Sequence, residues 1–269
     1  MRLGISTYTY TWAIGVPGKE PKKRMDAKAL LQKAIDLGVY CVQFADNLPL
    51  HTFADSALRE LGAFAQNQGI FTEIGMRGLF PELVLQYIAI AKQLGSPFLR
   101  IVVDGPGFHP SPQEIIDRIE DLIPDLKQSN IILAIENHDR FTARTFASII
   151  EKLGTEQVGI CLDSVNSMGA GEGIETVVDI LAPYTVNLHV KDFQVQRVYH
   201  MMGFVVEGRP AGKGMLRTEW LLEKLAPYNK CQSAILELWT PPEENILAII
   251  EKENRWAEES IRYLKPIIS

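Results

Sequence analysis

Short apolar runs and longer stretches of helical period alternate eight times along this chain, and no two runs of one kind follow each other. The apolar runs are Leu3–Thr7, Tyr40–Ala45, Ile70–Gly75, Phe98–Val103, Ile131–Glu136, Val158–Asp163, Thr185–Val190 and Ala234–Leu238. Each is of strand length. The helical stretches between and after them are Asp26–Leu37, Asp55–Gln68, Pro81–Leu94, Ser111–Gln128, Thr142–Leu153, Ile174–Leu181, Thr218–Leu225 and Glu243–Leu264. Gly38, Gly69, Gly95 and Gly154 stand where helices stop, and Pro81 suits a first helical turn. Eight units in 269 residues are about 34 residues each, the size of a βα unit.

That count and length predict an α/β fold, a closed (β/α)8 TIM barrel. A doubly wound open sheet is the alternative, but it wants a Gly-rich turn after the first strand, and Tyr8-Thr9-Tyr10-Thr11-Trp12 stands there instead. No Walker sequence is present. No linker or shift in composition divides the chain, so residues 1–269 read as one domain.

Composition removes several classes of function. Hydrophobic residues make up 46% and charged residues 22%, as in ordinary globular proteins. The net charge is −6 and no long basic run offsets it, which argues against nucleic acid as a partner. No apolar run approaches the roughly 18 residues of a membrane span. The N-terminus lacks the charged and apolar regions of a signal peptide, so the cytoplasm is the expected compartment. Cys41, Cys161 and Cys231 are far apart and form neither a disulfide framework nor a zinc ribbon.

In a barrel of this kind chemistry sits at the C-terminal ends of the strands. Glu136 closes the fifth run, Asp163 the sixth, His189 lies near the end of the seventh, and Glu237 near the end of the eighth. Any one acidic residue there can be an N-cap for the next helix. Four metal-competent side chains in consecutive units, in one register, point to a shared site. Three carboxylates and an imidazole favour a hard divalent ion, Mn2+ or Mg2+, with Co2+ also suited. The ion would relieve carboxylate repulsion and polarise a substrate carbonyl.

Glu136 and Asp163 are 27 residues apart, Asp163 and His189 26, and His189 and Glu237 48. The excess in the last interval falls on 193–214, read as an irregular loop that covers the barrel mouth. It carries Arg197 and Arg209 as candidate anchors for an anionic substrate, with Met201 and Met202 as candidate pocket walls. Lys191 shares side-chain parity with His189 and is the first candidate to hold a substrate carboxylate. His138 and Asn166 are candidate substrate contacts, although both also fit turn chemistry. Trp12 and Trp239 follow strand ends and are candidate pocket walls. Glu73 reads as a solvated rim carboxylate, Arg100 as an inward-pointing structural residue, and Cys161 as a small core residue.

The strand ends resemble the xylose isomerase-like TIM-barrel superfamily of sugar isomerases, epimerases and relatives. The marks are ENHD at Glu136, CLDSVN around Asp163, LHVKD at His189, PAGKG at Pro210–Gly214 and ILELW at Glu237. The resemblance implies one divalent ion held by Glu136, Asp163, His189 and Glu237, with the two glutamates moving protons in the epimerases. Many superfamily isomerases carry a Glu near the end of the second strand, where this chain has Gln43, which cannot act as a carboxylate base.

The stretch His189–Gly214 is more specifically similar to the 3-oxo-isoapionate decarboxylases within that superfamily. That implies decarboxylation of a 3-oxo sugar acid through an enediolate, with Glu136, Glu237 and Lys191 as catalytic residues and a ketotetrose as product. The alternative is isomerisation or epimerisation of a free or phosphorylated ketose. Repair of abasic DNA, also found in the superfamily, fits poorly with five His and the acidic balance. A non-catalytic sugar-binding barrel would not need the four ligands. The expected partner is a small sugar or sugar acid, and association into homo-oligomers is a class-level expectation.

Overall fold

A computed structural model describes residues 1–268. Eight parallel strands close into a barrel: β1 (Arg2–Ser6), β2 (Cys41–Phe44), β3 (Phe71–Arg77), β4 (Phe98–Val102), β5 (Ile132–Glu136), β6 (Val158–Asp163), β7 (Thr185–Val190) and β10 (Ser233–Leu236). Closure is made by β1, which pairs with β2 on one side and β10 on the other. The fold expected from the alternation is the fold observed. Eight of the helices form the outer ring: α2 (Ala27–Leu37), α3 (Asp55–Asn67), α4 (Pro81–Leu94), α5 (Pro112–Ser129), α6 (Ala143–Leu153), α7 (Ile174–Leu181), α8 (Thr218–Leu225) and α9 (Ile246–Leu264). A short first helix, α1 (Thr11–Ile14), follows β1.

Local chemistry sets these limits. Asp26 caps α2 by accepting from Ala29 N at 2.8 Å, and Gly38 ends it in the left-handed region at φ 64°. Ser111 and Glu114 form a capping box on α5. Each outer helix buries its apolar stripe on the barrel, as Leu30, Leu31 and Ala34 do from α2. The core is therefore a shell between strands and helices. Among the described residues no helix is long and apolar enough to cross a membrane.

The barrel interior beneath the strand ends is polar. Gln43, Glu73 and Asn187 are fully or almost fully buried there. Glu73 accepts from Cys41 Sγ at 3.3 Å and from Gln43 Nε2 at 3.2 Å. The expectation of a solvated rim carboxylate is thus wrong. β3 runs on to Arg77, so Glu73 lies mid-strand and faces inward. Burial raises its pKa against the bonds from Ser233, Cys41 and Gln43.

The segment after β7 also differs from its reading. It is an antiparallel hairpin of β8 (Asp192–Arg197) and β9 (Phe204–Arg209), not an irregular loop. Its two-residue alternation is visible in Phe193-Gln194-Val195-Gln196, but the strand length was masked by the dense polar residues. Tyr199, Met201, Met202 and Phe204 at its far end are exposed. Its base is clamped by buried Asp192, which accepts from Phe193 N at 2.8 Å, Gly212 N at 2.9 Å, Gly214 N at 3.0 Å and Leu216 N at 2.9 Å. A side chain on Gly214 would collide with the Asp192 carboxylate and Phe193 O.

Asp192→Ala leaves four backbone donors without their acceptor, and the expected loss is about 2–4 kcal/mol in urea denaturation. Asp192→Asn, which keeps an acceptor oxygen, should lose less. A loss below about 0.5 kcal/mol for Asp192→Ala, the range of an ordinary surface change, would show that the carboxylate is no clamp.

Candidate metal centre and active site

The strand register brings the four expected ligands together. Asp163 pairs with His189 across β6 and β7, Glu136 ends β5, and Glu237 follows β10. All four are essentially buried. His189 Nδ1 lies 3.4 Å from Glu136 Oε2, 3.5 Å from Glu237 Oε1 and 3.8 Å from Asp163 Oδ2.

Asp163, Glu237 and His189 are each tied at one atom and present another, whereas Glu136 is tied at both oxygens. Asp163 Oδ1 accepts from Val165 N and Asn166 N, both at 2.9 Å. Glu237 Oε1 accepts from Ser6 Oγ at 3.1 Å. Glu136 Oε1 accepts from Asn166 Nδ2 at 2.7 Å, and Oε2 accepts from Arg100 Nε. His189 Nε2 is 2.7 Å from Gln43 Oε1, while Gln43 Nε2 donates to Asn187 Oδ1 at 3.0 Å. With the amide so oriented, Nε2 is the nitrogen that carries the proton and Nδ1 keeps its lone pair. Gln43 is therefore a support for the imidazole, a role that its sequence position alone did not reveal.

Three buried atoms are left over: Asp163 Oδ2, His189 Nδ1 and Glu237 Oε2 have no hydrogen-bond partner. Lys191 Nζ forms ion pairs with two of them, Asp163 Oδ2 at 2.8 Å and Glu237 Oε2 at 2.9 Å. Ligand atoms of Asp163, His189 and Glu237 lie within 4.8 Å of one another. Converging orphaned acceptors are what a divalent ion requires, and the donor set of oxygens and one nitrogen suits a hard one. Cys161 is also within such reach of Glu136 and His189. Its thiol instead donates to Asn187 Oδ1 at 3.0 Å, and burial holds its pKa well above the ordinary value, so it is no thiolate ligand.

Electrostatics agree with a site built for positive charge. Burial works against the Asp163 carboxylate, yet Lys191 and His189 hold its pKa below the usual range. Glu237 is likewise lowered, by His189 and Lys191 against burial. Burial opposes charge on His189, but Glu237 and Glu136 outweigh it and raise its pKa. A bound cation would compete with that proton.

Above the four ligands is a cavity of about 340 Å³. Trp12, Trp239, His138, Asn166 and Lys191 line it, with Glu136 and Glu237 at its floor. Arg197 and Arg209 do not. Arg197 stacks on Phe204 and donates to Met201 O at 2.9 Å. Arg209 donates to Gln194 Oε1 at 2.9 Å and to Glu207. No residue of 193–214 lines the cavity, so the hairpin does not cover the mouth as expected. Its base meets the site where Gly208 packs against Trp239.

Two cavity cations were not among the candidate substrate contacts: Arg77 and Arg100. Arg100 is buried, paired to Glu136, and donates from Nη1 to Asp46 Oδ1 at 3.0 Å. Gly75 faces it in the register, and a Cβ there would come within 3.1 Å of Arg100 Cδ. Arg77 has the same parity as inward-facing Glu73, a signal that the short reading of β3 concealed.

The closed barrel, the strand-end ligands and the cavity define a class, and the match is direct. The chain belongs to the xylose isomerase-like TIM barrel family, whose model matches residues 31–267. It is 27% identical over 264 residues to the 3-oxo-isoapionate decarboxylase of Pectobacterium atrosepticum, covering 98% of this chain and 95% of that one. Its fold is that of D-psicose 3-epimerase from Clostridium cellulolyticum H10, solved with D-tagatose (TM-score 0.77, 14% identity, 100% of both chains). A xylose isomerase-like barrel from Mycobacterium smegmatis, solved with magnesium, is also similar (TM-score 0.70, 13% identity, 100% of this chain and 98% of that one).

One wall of the cavity depends on a buried carboxylate. Glu253 on α9 accepts from Trp12 N at 3.0 Å and Ala13 N at 3.1 Å, while Trp12 Nε1 donates to Thr240 O at 2.9 Å. Burial pushes the Glu253 pKa up from 4.5 to about 8. A raised folded-state pKa gives stability that is full below the unfolded value and is lost as pH rises towards 8. Glu253→Gln removes that loss. Its stability relative to wild type should improve by a few kcal/mol between pH 5 and pH 9. A pH-independent difference in urea denaturation would contradict this.

Proposed function

We propose that this protein is a divalent-metal-dependent decarboxylase of a 3-oxo sugar acid, with 3-oxo-isoapionate as the substrate towards which the similarity along 98% of the chain points. The observation that carries the choice is the state of Glu136. Both its oxygens already accept, from Asn166 and from Arg100. An epimerase needs two groups that move protons, one on each face of the sugar. Here Glu136 is a fixed ligand and not a free base. Decarboxylation requires only one proton delivery.

A divalent ion held by Glu136, Asp163, His189 and Glu237 would polarise the ketone and offset the charge that develops on its oxygen. The bond from the carboxylate carbon to the carbon beside the ketone breaks. Its electron pair forms a carbon–carbon double bond and moves charge to the ketone oxygen, giving an enediolate, and CO2 leaves. Protonation of that carbon restores the ketone and yields a ketotetrose. Lys191 is the proton source we assign. It lines the cavity beside the four converging side chains, 2.8 Å from Asp163 and 2.9 Å from Glu237. Trp12 and Trp239 wall the sugar and exclude water.

CO2 release from 3-oxo-isoapionate should require Mn2+ or Mg2+ and stop with EDTA. Lys191→Met should lower kcat by roughly 10²–10⁴-fold, the range for a general acid, with a smaller change in KM. Interconversion of neutral ketoses without CO2 release from any 3-oxo acid would replace this reading by isomerase or epimerase activity.

A further inference from the structure

We propose that Arg77 is the anchor for the substrate's carboxylate, an inference that rests on the decarboxylase reading and names its specificity residue. β3 stands four places from β7 around the ring of eight, so Arg77 rises from the wall facing His189. Its Nε donates to Asp46 Oδ2 at 3.2 Å. Its terminal nitrogens have no hydrogen-bond partner among the described residues, and the side chain, 35% exposed, lines the cavity. Nε is thus held by protein while the Nη1/Nη2 edge is free. Fixing a guanidinium at Nε orients its remaining donors before a ligand arrives.

The other cations do not fit this role. Arg100 is buried and already serves Glu136, Asp46 and Met76 O. Lys191 lies between Asp163 and Glu237, where an anion would meet two carboxylates. Arg197 and Arg209 are spent on the hairpin.

Charge balance points the same way. The charged groups of the cavity floor and wall are Asp46, Glu136, Asp163 and Glu237 against Arg77, Arg100 and Lys191. Asp139, exposed on the rim, bonds His138 Nδ1 at 2.6 Å and stands outside this count. Four carboxylates and three cations leave one negative charge, and a divalent ion turns that into one positive charge. A monoanionic substrate would balance that charge at the cavity floor.

Asp46 also tempers the grip. Burial works against its carboxylate, but Arg100 and Arg77 hold its pKa low, so Arg77 is shared between a protein anion and a substrate. A carboxylate must leave as neutral CO2, and a weaker hold on the ground state favours that step. Holding it also fixes the breaking bond relative to the ketone.

The test compares D-erythronate with erythritol, which has the same carbon skeleton with a hydroxymethyl group in place of the carboxylate. Calorimetry on the Mn2+-loaded protein should show erythronate bound about 10–100-fold more tightly, as one charged contact would give. Arg77→Met should remove that preference and raise KM for the 3-oxo acid by a similar factor, with kcat changed much less. Arg77→Lys should restore part of the preference, which excludes misfolding as the cause. If Arg77→Met keeps the preference, the carboxylate is held elsewhere and the proposal fails. If wild type releases CO2 yet binds both probes alike, the anchor is wrong and the decarboxylase reading stands. If wild type shows no preference, releases no CO2 and interconverts neutral ketoses, both fall.

Discussion

Three carboxylates and an imidazole are buried together at the barrel mouth, and the repulsion among the carboxylates is the constraint that the surrounding structure answers. Glu136, Asp163 and Glu237 are all almost completely buried within a few ångströms of His189 Nδ1. Burying like charges together is costly unless counter-charge is supplied. Arg100 and Lys191 supply part of it, from below Glu136 and from between Asp163 and Glu237. One ammonium is then shared by Asp163 Oδ2 and Glu237 Oε2, and His189 Nδ1 faces the three carboxylates with no hydrogen bond. A divalent ion at that point removes both problems at once.

The supporting residues extend this logic outward. Asn137 joins the ends of two strands, donating to Asp163 O at 3.0 Å and accepting from Asp163 N at 2.7 Å. Gln43 sets the proton on His189 Nε2 and is itself set by Glu73 and Asn187. The polar layer inside the barrel is therefore a support for the four converging side chains, in place of the apolar packing usual in such barrels. Asp46 does comparable work on the opposite wall, where one carboxylate orients two guanidiniums and accepts from Tyr8 Oη at 3.1 Å.

Much of this was legible in the sequence. The alternation of runs fixed the barrel because each period is dictated locally, by side-chain parity in strands and by caps and stops in helices. The convergence of Glu136, Asp163, His189 and Glu237 was legible because strand-end register is a property of the repeat. Three things were not. β3 extends to Arg77, two residues past the apolar run, so a strand-end cation fell outside the strand as read. The hairpin of β8 and β9 was hidden because, Phe193 apart, its apolar side chains are exposed among dense polar residues and leave little core-facing signature. The partners of Lys191 were invisible because parity says that two residues share a face, not which charges they meet there. Sequence placed Lys191 in the mouth as an anion binder; the Asp163 and Glu237 carboxylates claim it first.

Whether the orphaned atoms are a metal site is open to one direct measurement. Metal-stripped protein titrated with Mn2+ and followed by electron paramagnetic resonance should bind one ion per chain. Asp163→Asn and Glu237→Gln should each weaken that binding by at least tenfold while the far-ultraviolet circular dichroism of the barrel is unchanged. Binding of no ion, or of an ion whose affinity is indifferent to both substitutions, would contradict the account.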